Sequence, residues 1–347
     1  MITLQQLRYR FDDPEVFGLK PVNRTSDESI RSRGLAQNLR VSQGVLPQLQ
    51  IAVDGARAAL GVTDPLTVFV YPSAELNALC HSASGGQHIV VFVSSGLITH
   101  LSPAEWRCII GHELGHHALG HGTYPKSPPE AEHLRELELG RAAEISADRA
   151  GLMACNDVDV ALRAMLKVGS GLDERHLQVD IADYMRQLAE LRETAGDEGV
   201  FFSTHPPFPV RVRALLRFDS LLREARSGSD YSALLCQTDD SIQHDMDAAS
   251  GASGENRFTE QGRTAAFWAA ALSVCEDGRF TTDEQRLMTE RFGPDRVDAL
   301  KRLLDGADSM AAGIQLLQEK TARTREGLAT APLLAVRRFE ELMTSFR

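Results

Sequence analysis

His112, Glu113 and His116 stand in the segment His112-Glu113-Leu114-Gly115-His116, an H-E-x-x-H spacing. On a helix, positions four apart lie roughly 40° apart around the axis, so both histidines project from one face. Two imidazoles on one face can hold a zinc ion, and Glu113 is placed to act on a water at that ion. Such chemistry is the hydrolysis of a peptide bond. A catalytic zinc needs a third protein ligand and one open position. The best candidate is Glu144, in Ala142-Ala143-Glu144-Ile145-Ser146-Ala147-Asp148. Glu144 and Asp148 are four apart and share a helix face. One carboxylate can bind the metal while the other accepts the ring N–H of a ligand histidine. Each pair alone has a bland alternative, surface histidines or solvated acids, but the two motifs support one another.

The elements that must position these residues are also marked. Ser102-Pro103-Ala104-Glu105 is a capping box with proline at the first helical position, followed by Trp106, Ile109, Ile110 and Leu114 at helical spacing. Gly111, Gly115 and Gly120 cost about 1 kcal/mol each against alanine in a helix, which suits a close approach of another backbone or a substrate. A second helix is expected from about Ala131 to Cys155, and 28 residues separate His116 from Glu144, enough for a turn and a helix. His88 to Val93 is a short apolar run after Gly85-Gly86, consistent with an edge or near-edge strand, with Leu66 to Tyr71 as its neighbour. Ile89, Val90, Val91 and Phe92 are then candidates to bind substrate as an added antiparallel strand.

H-E-L-G-H followed by E-I-S-A-D resembles the HtpX-type zinc peptidase family, which includes the CAAX prenyl proteases. The resemblance covers roughly residues 60 to 220. It implies a gluzincin with one Zn2+ per chain held by His112, His116 and Glu144, with Glu113 as general base and Asp148 as the supporting carboxylate. Leu76-Asn77-Ala78 is similar to the family's N-A element, which brings Asn77 to the substrate side. Ser203-Thr204-His205-Pro206-Pro207, with Arg211 six positions past the histidine, is similar to its T-H-P segment.

The implied mechanism has zinc lower the pKa of a water and polarise the scissile carbonyl. Glu113 takes the proton and passes it to the leaving amine. His205 is the candidate for a second stabiliser of the oxyanion, and the resemblance implies a histidine near the metal that either fills that role or occupies the open position. His117 and His121 lie about 100° and 140° around a continued helix from His116, which excludes both from the site. His81, His88, His100, His133, His176 and His244 have no partner pattern and read as surface histidines. Cys108, four residues before His112, reads as a core thiol, since catalysis needs an open position on zinc.

Composition sets the frame. A net charge of −11 over 347 residues, with no dominating basic stretch, excludes non-specific nucleic-acid binding. Arg24, Arg31, Arg33 and Arg40 read as a solvated face. The first eight residues lack a basic, then apolar, secretory signal, and the longest apolar stretch falls far short of the ~20 residues of a membrane span. Five cysteines without a C-x-x-C suggest reduced thiols, hence a cytoplasmic location. The expected class is α+β and mostly helical: a zincin-like core of active-site helix, small β-sheet and second ligand helix, plus an all-α C-terminal domain. The expected organisation is an N-terminal helical segment at 1–60, amphipathic from Ala36 to Leu60, then a peptidase domain at 61–247. A Gly/Ser-rich linker at 248–256 and a helical domain at 257–347 follow. Glu276-Asp277-Gly278-Arg279-Phe280-Thr281-Thr282-Asp283-Glu284 loosely resembles the turn and capped helix of TerB-type domains; it lacks the spacing of a calcium loop. The leading expectation is a soluble zinc metalloendopeptidase acting on protein or peptide, with self-association or adaptor binding through its C-terminal helices. The alternative is a non-proteolytic, zinc-stabilised interaction or stress-response protein. An aminopeptidase is disfavoured by the lack of a G-x-M-E-N segment.

Overall fold

Runs of β-branched and aromatic residues build one small sheet, and helices form most of the remaining chain. The computed structural model describes residues 2–13, 27–81, 88–121, 130–194, 205–249, 252–329, 331 and 333–344. It divides into two compact units, Met1–Ser127, Leu139–Ala195 and Phe202–Ala249 in the first and Pro128–Glu138, Gly196–Phe201 and Ser250–Arg347 in the second. The fold is α+β and mostly helical.

In the first unit, a short 3-10 turn at Leu4–Leu7 precedes α1 (Asp27–Gln37), β1 (Leu39–Arg40) and α2 (Pro47–Leu60). The expected amphipathic stretch from Ala36 to Leu60 is therefore not one helix. Arg40 lies in register with Phe69, and the Val41 N–H bonds the Val68 carbonyl, which draws this stretch into the sheet. Pro47 then restarts the helix, because proline suits a first helical position and pushes its predecessor out of the helical region. Residues on both sides of position 60, where a boundary was expected, share this unit. Leu49, Val53, Ala56 and Leu60 of α2 enter the same core as Val68 and Val91.

β2 (Leu66–Tyr71), β3 (Ala78–His81) and β4 (Ile89–Ser94) complete a four-stranded sheet in the order β1-β2-β4-β3. β4 runs parallel to β2, with Val91 opposite Val68, and antiparallel to β3, with Phe92 opposite Leu79. Ile89, Val90 and Val91 are fully buried. This corrects the expectation for Ile89, Val90, Val91 and Phe92. Their unbroken apolar run marks a strand paired on both sides, with no edge left for an added strand. Among the described residues the last strand on that side of the sheet is β3.

Helices α3 (Ser95–His100) and α4 (Pro103–Ala118) follow. At the start of α4 the Glu105 N–H bonds Ser102 Oγ, while the Ser102 N–H bonds Glu105 Oε2 at 2.6 Å. Glu105 is itself buried, and Lys167 Nζ lies 3.0 Å from it. After α5 (Glu130–Cys155) come α6 (Val158–Ser170), α7 (Ile181–Tyr184), α8 (Arg186–Thr194), α9 (Phe208–Arg226) and α10 (Tyr231–Ala249). α10 escapes apolar periodicity because its inner face carries the buried acids Asp239 and Asp245. Arg149 lies 2.5 Å from Asp239, and Arg217 lies 2.8 Å from Asp245.

The second unit contains α11 (Ala252–Val274), α12 (Thr282–Phe292), α13 (Pro294–Asp305), α14 (Met310–Ala329) and α15 (Leu333–Thr344). Phe267, Met288, Phe292, Leu300 and Leu317 are among the residues of its core. The Gly/Ser-rich stretch read as a linker ends α10 and begins α11, with residues 250 and 251 outside the described residues.

α4 and α5 cross at very short range through their small residues. A Cβ on Gly111 would lie 2.3 Å from Ala154 Cβ, and one on Gly115 would lie 2.6 Å from Ala150 Cβ. The approaching backbone that the glycines suit is therefore α5. Gly111→Ala should lower stability by about 1–3 kcal/mol and Tm by several degrees. Helix propensity alone would instead stabilise by about 1 kcal/mol. A rise in Tm on thermal unfolding would contradict the close crossing.

Candidate metal centre

The crossing sets the ligand geometry. His112 and His116 stand one turn apart on α4, and their Nε2 atoms are 3.1 Å apart. Glu144 of α5 places Oε2 3.6 Å from His112 Nε2 and Oε1 3.4 Å from His116 Nε2. A tetrahedral ion about 2.0–2.1 Å from each donor separates its donors by roughly 3.4 Å, so this set fits one. Among the described residues, these three are the group of histidine, cysteine or acidic side chains able to share an ion, with donor atoms within 4.8 Å of one another. Cys108 is buried in the cavity wall close to Gly151 and is not in that group.

Each ligand histidine has a partner behind it. His112 Nδ1 lies 3.0 Å from Asp148 Oδ1. Asp148 accepts a two-pronged bond from Arg211 of α9, Nε to Oδ2 at 2.8 Å and Nη2 to Oδ1 at 2.6 Å. The third guanidinium nitrogen, Nη1, reaches Glu144 Oε2 at 3.1 Å. Arg211 thus sits between the ligand carboxylate and the supporting one.

Burial disfavours charge on Glu144, but Arg211, followed by His116 and His112, outweighs it and holds this carboxyl well below the usual carboxylate range. Burial likewise opposes ionisation of Asp148, and Arg211 and then His112 keep it low. At His116, burial opposes the cation, yet Glu144 raises the pKa. The cluster is built to hold positive charge.

His121 lies outside the donor set, as expected, but directly beside it. The angular argument that excluded it assumed that α4 continues, whereas α4 ends at Ala118. Gly120 takes φ +70, and the Gly120 and His121 N–H groups bond the His117 and His116 carbonyls, a Schellman closure. The chain folds back, and His121 Nδ1 comes to lie 2.7 Å from His116 Nδ1. Gly120 was the signal available in the sequence. His117 points elsewhere, to Asp64 at 3.0 Å. His88, expected at the surface, bonds Thr67 Oγ1 at 2.7 Å.

A cavity of ≈ 440 Å³ opens beside the cluster, and its lining includes His112, Glu113, His116, Glu144, His205 and Asn77. β3 residues Ala78, Leu79 and Cys80 form part of the wall, whereas Ile89, Val90, Val91 and Phe92 do not. Asn77 also ties this wall to β4, since its carbonyl accepts the Ser94 N–H at 2.9 Å. Glu113 is buried, while His205 is exposed with Nε2 3.4 Å from Glu144 Oε1. Ser203 and Thr204 lie outside the described residues.

A helical His-Glu-x-x-His pair completed by a glutamate from the next helix, in a cleft beside a small sheet, defines a metal-dependent peptidase site. Residues 46–127 and 130–219 match the model of Peptidase family M48. The plastoglobule-localized metallopeptidase 48, chloroplastic, of Arabidopsis thaliana is 24% identical over 244 residues, covering 61% of this chain and 70% of its own. No solved structure matches the chain. Among the described residues no helix is long and apolar enough to cross a membrane.

Removing Arg211 would strip two buried carboxylates of their largest compensating charge. Arg211→Met should cost about 3–5 kcal/mol in the metal-free protein at neutral pH. The depressed carboxyls contribute stability above their ordinary values of 4.5 and 3.8, and that contribution is lost as pH falls. The gap between variant and wild type should therefore narrow on acidification in urea unfolding. A small or pH-independent gap would contradict this role for Arg211.

Proposed function

We propose that this protein is a zinc metalloendopeptidase of the HtpX and CAAX-prenyl-protease type, cleaving internal bonds of protein or peptide substrates. The observation that carries the reading is the donor set of His112, His116 and Glu144 within 4.8 Å, in a cavity that also holds Glu113. Zinc fits this set because two imidazoles and a carboxylate at tetrahedral spacing leave one position open, as a catalytic site requires. When bound, the ion would supply the Lewis acid that polarises the scissile carbonyl and brings a water's pKa toward neutrality.

The remaining work falls to the chain's own groups. Glu113 takes a proton from the water and delivers it to the leaving amine. Burial of Glu113 in the wall keeps competing solvent from that carboxylate. His205, exposed and part of the cavity lining, donates a hydrogen bond to the tetrahedral oxyanion. Asp148 holds the His112 ring through Nδ1, and Arg211 holds both carboxylates in place. Substrate lies as an antiparallel strand against β3, beside Asn77, since β3 is the last strand on that side among the described residues and lines the cavity.

The C-terminal helices recruit substrate or mediate self-association. Their resemblance to TerB-type domains rests on the turn at Gly278 and the Thr281–Glu284 capping box that opens α12. The five free cysteines are in keeping with a reducing, cytoplasmic setting.

Purified protein should contain about one zinc per chain, and a chelator should abolish cleavage of an unfolded protein substrate until zinc is restored. Glu113→Gln should keep the metal and lower kcat by about 10²–10⁴. His205→Ala should keep the metal and lower kcat by about 10²–10³. Undiminished turnover in Glu113→Gln would sink the mechanism.

A further inference from the structure

The contact between the His116 and His121 rings leads away from the donor set and into the N-terminal segment. Resting on the metal-centre reading above, we propose that His121 and Asp12 are positioning residues that hold His116 as a ligand. Residues 2–13 are then a working part of the metal centre.

Two ring nitrogens 2.7 Å apart, His116 Nδ1 and His121 Nδ1, need one proton between them. His116 Nε2 faces His112 Nε2 at 3.1 Å and Glu144 at 3.4 Å, so it is the nitrogen whose lone pair serves a metal. The His116 proton therefore resides on Nδ1 and is donated to His121 Nδ1. His121 then carries its own proton on Nε2, which faces Asp12 Oδ2 at 2.7 Å. Donor and acceptor alternate along the chain without conflict.

Asp12 is buried and firmly held. Its Oδ2 accepts from Ser146 Oγ at 2.7 Å, two residues past Glu144 on α5, and Arg8 lies 3.5 Å away. Arg8 also donates to the carbonyl of Leu119, the C-cap residue of α4. The Tyr9 N–H bonds Ser146 Oγ at 2.9 Å, and its hydroxyl bonds Gln243 at 2.8 Å. The segment thus grips both ligand helices, at the end of α4 and alongside Glu144. His112 is oriented directly by a carboxylate, whereas His116 is oriented by a carboxylate acting through a second imidazole. Partners of this kind are worth about 10–100-fold in metal affinity.

The test uses the full chain, with zinc affinity measured against a chromophoric chelator and the visible spectrum of the cobalt-substituted protein. His121→Phe should weaken zinc by about 10–100-fold and shift the cobalt bands. His121→Gln, whose amide can accept from His116 and donate to Asp12, should return both close to wild type. Asp12→Asn should weaken zinc in the same direction, and it decides the matter if circular dichroism shows His121→Phe unfolded. Wild-type affinity and spectrum in the folded variants overturn the proposal, as does equal loss in His121→Phe and His121→Gln. Zinc bound no better by wild type than by His116→Ala instead defeats the metal-centre reading itself. That outcome is distinct from tight zinc lost in His116→Ala alone.

Discussion

The crossing of α4 and α5 is the constraint on which the site depends. Gly111 meets Ala154, Gly115 meets Ala150 and Gly151 meets Cys108, so two helix backbones approach more closely than ordinary side chains allow. That approach brings Glu144 within 3.6 Å of both imidazoles. It carries a cost in helix propensity, since two glycines lie inside α4. Anchoring at the ends offsets it: Ser102 and Glu105 cap one end, and the turn at Gly120 closes the other.

Close packing of carboxylates and imidazoles creates an electrostatic problem that the fold answers with one cation. Arg211 is buried, bonds Asp148 twice and reaches Glu144. Its planar fork spans both acids at once, which a lysine could not do. The same answer recurs away from the cleft, where Arg149 meets Asp239 and Lys167 meets Glu105. These buried pairs join segments far apart in the sequence.

The sheet plays a supporting part. Its central strand β4 is buried and paired on both sides, which sets the level from which α3 and α4 depart. β3, a strand of four residues, forms part of the wall of the cavity.

Local signals determined a good part of this protein from sequence alone. The H-E-x-x-H spacing, the capping box at Ser102 and the i, i+4 pair Glu144 and Asp148 each depend on residues within a turn or two, so helical periodicity suffices to read them. The mostly helical α+β class follows from the same patterns. Other features needed the tertiary structure. Strand order depends on pairing between distant segments, and an apolar run reads alike in an edge strand and its neighbour, so only the structure shows that Ile89 to Phe92 are paired on both sides. α10 was hidden because its inner face carries acids matched by arginines far away in sequence. The contact of His121 with His116 depends on one left-handed glycine that reverses the chain after Leu119. Its partner Asp12 lies 109 residues away in sequence, a separation that no periodicity spans. The motif residues were legible because their geometry is that of one helix. The groups that hold them were decided by packing, because burial and charge pairing are properties of segments brought together from the whole chain.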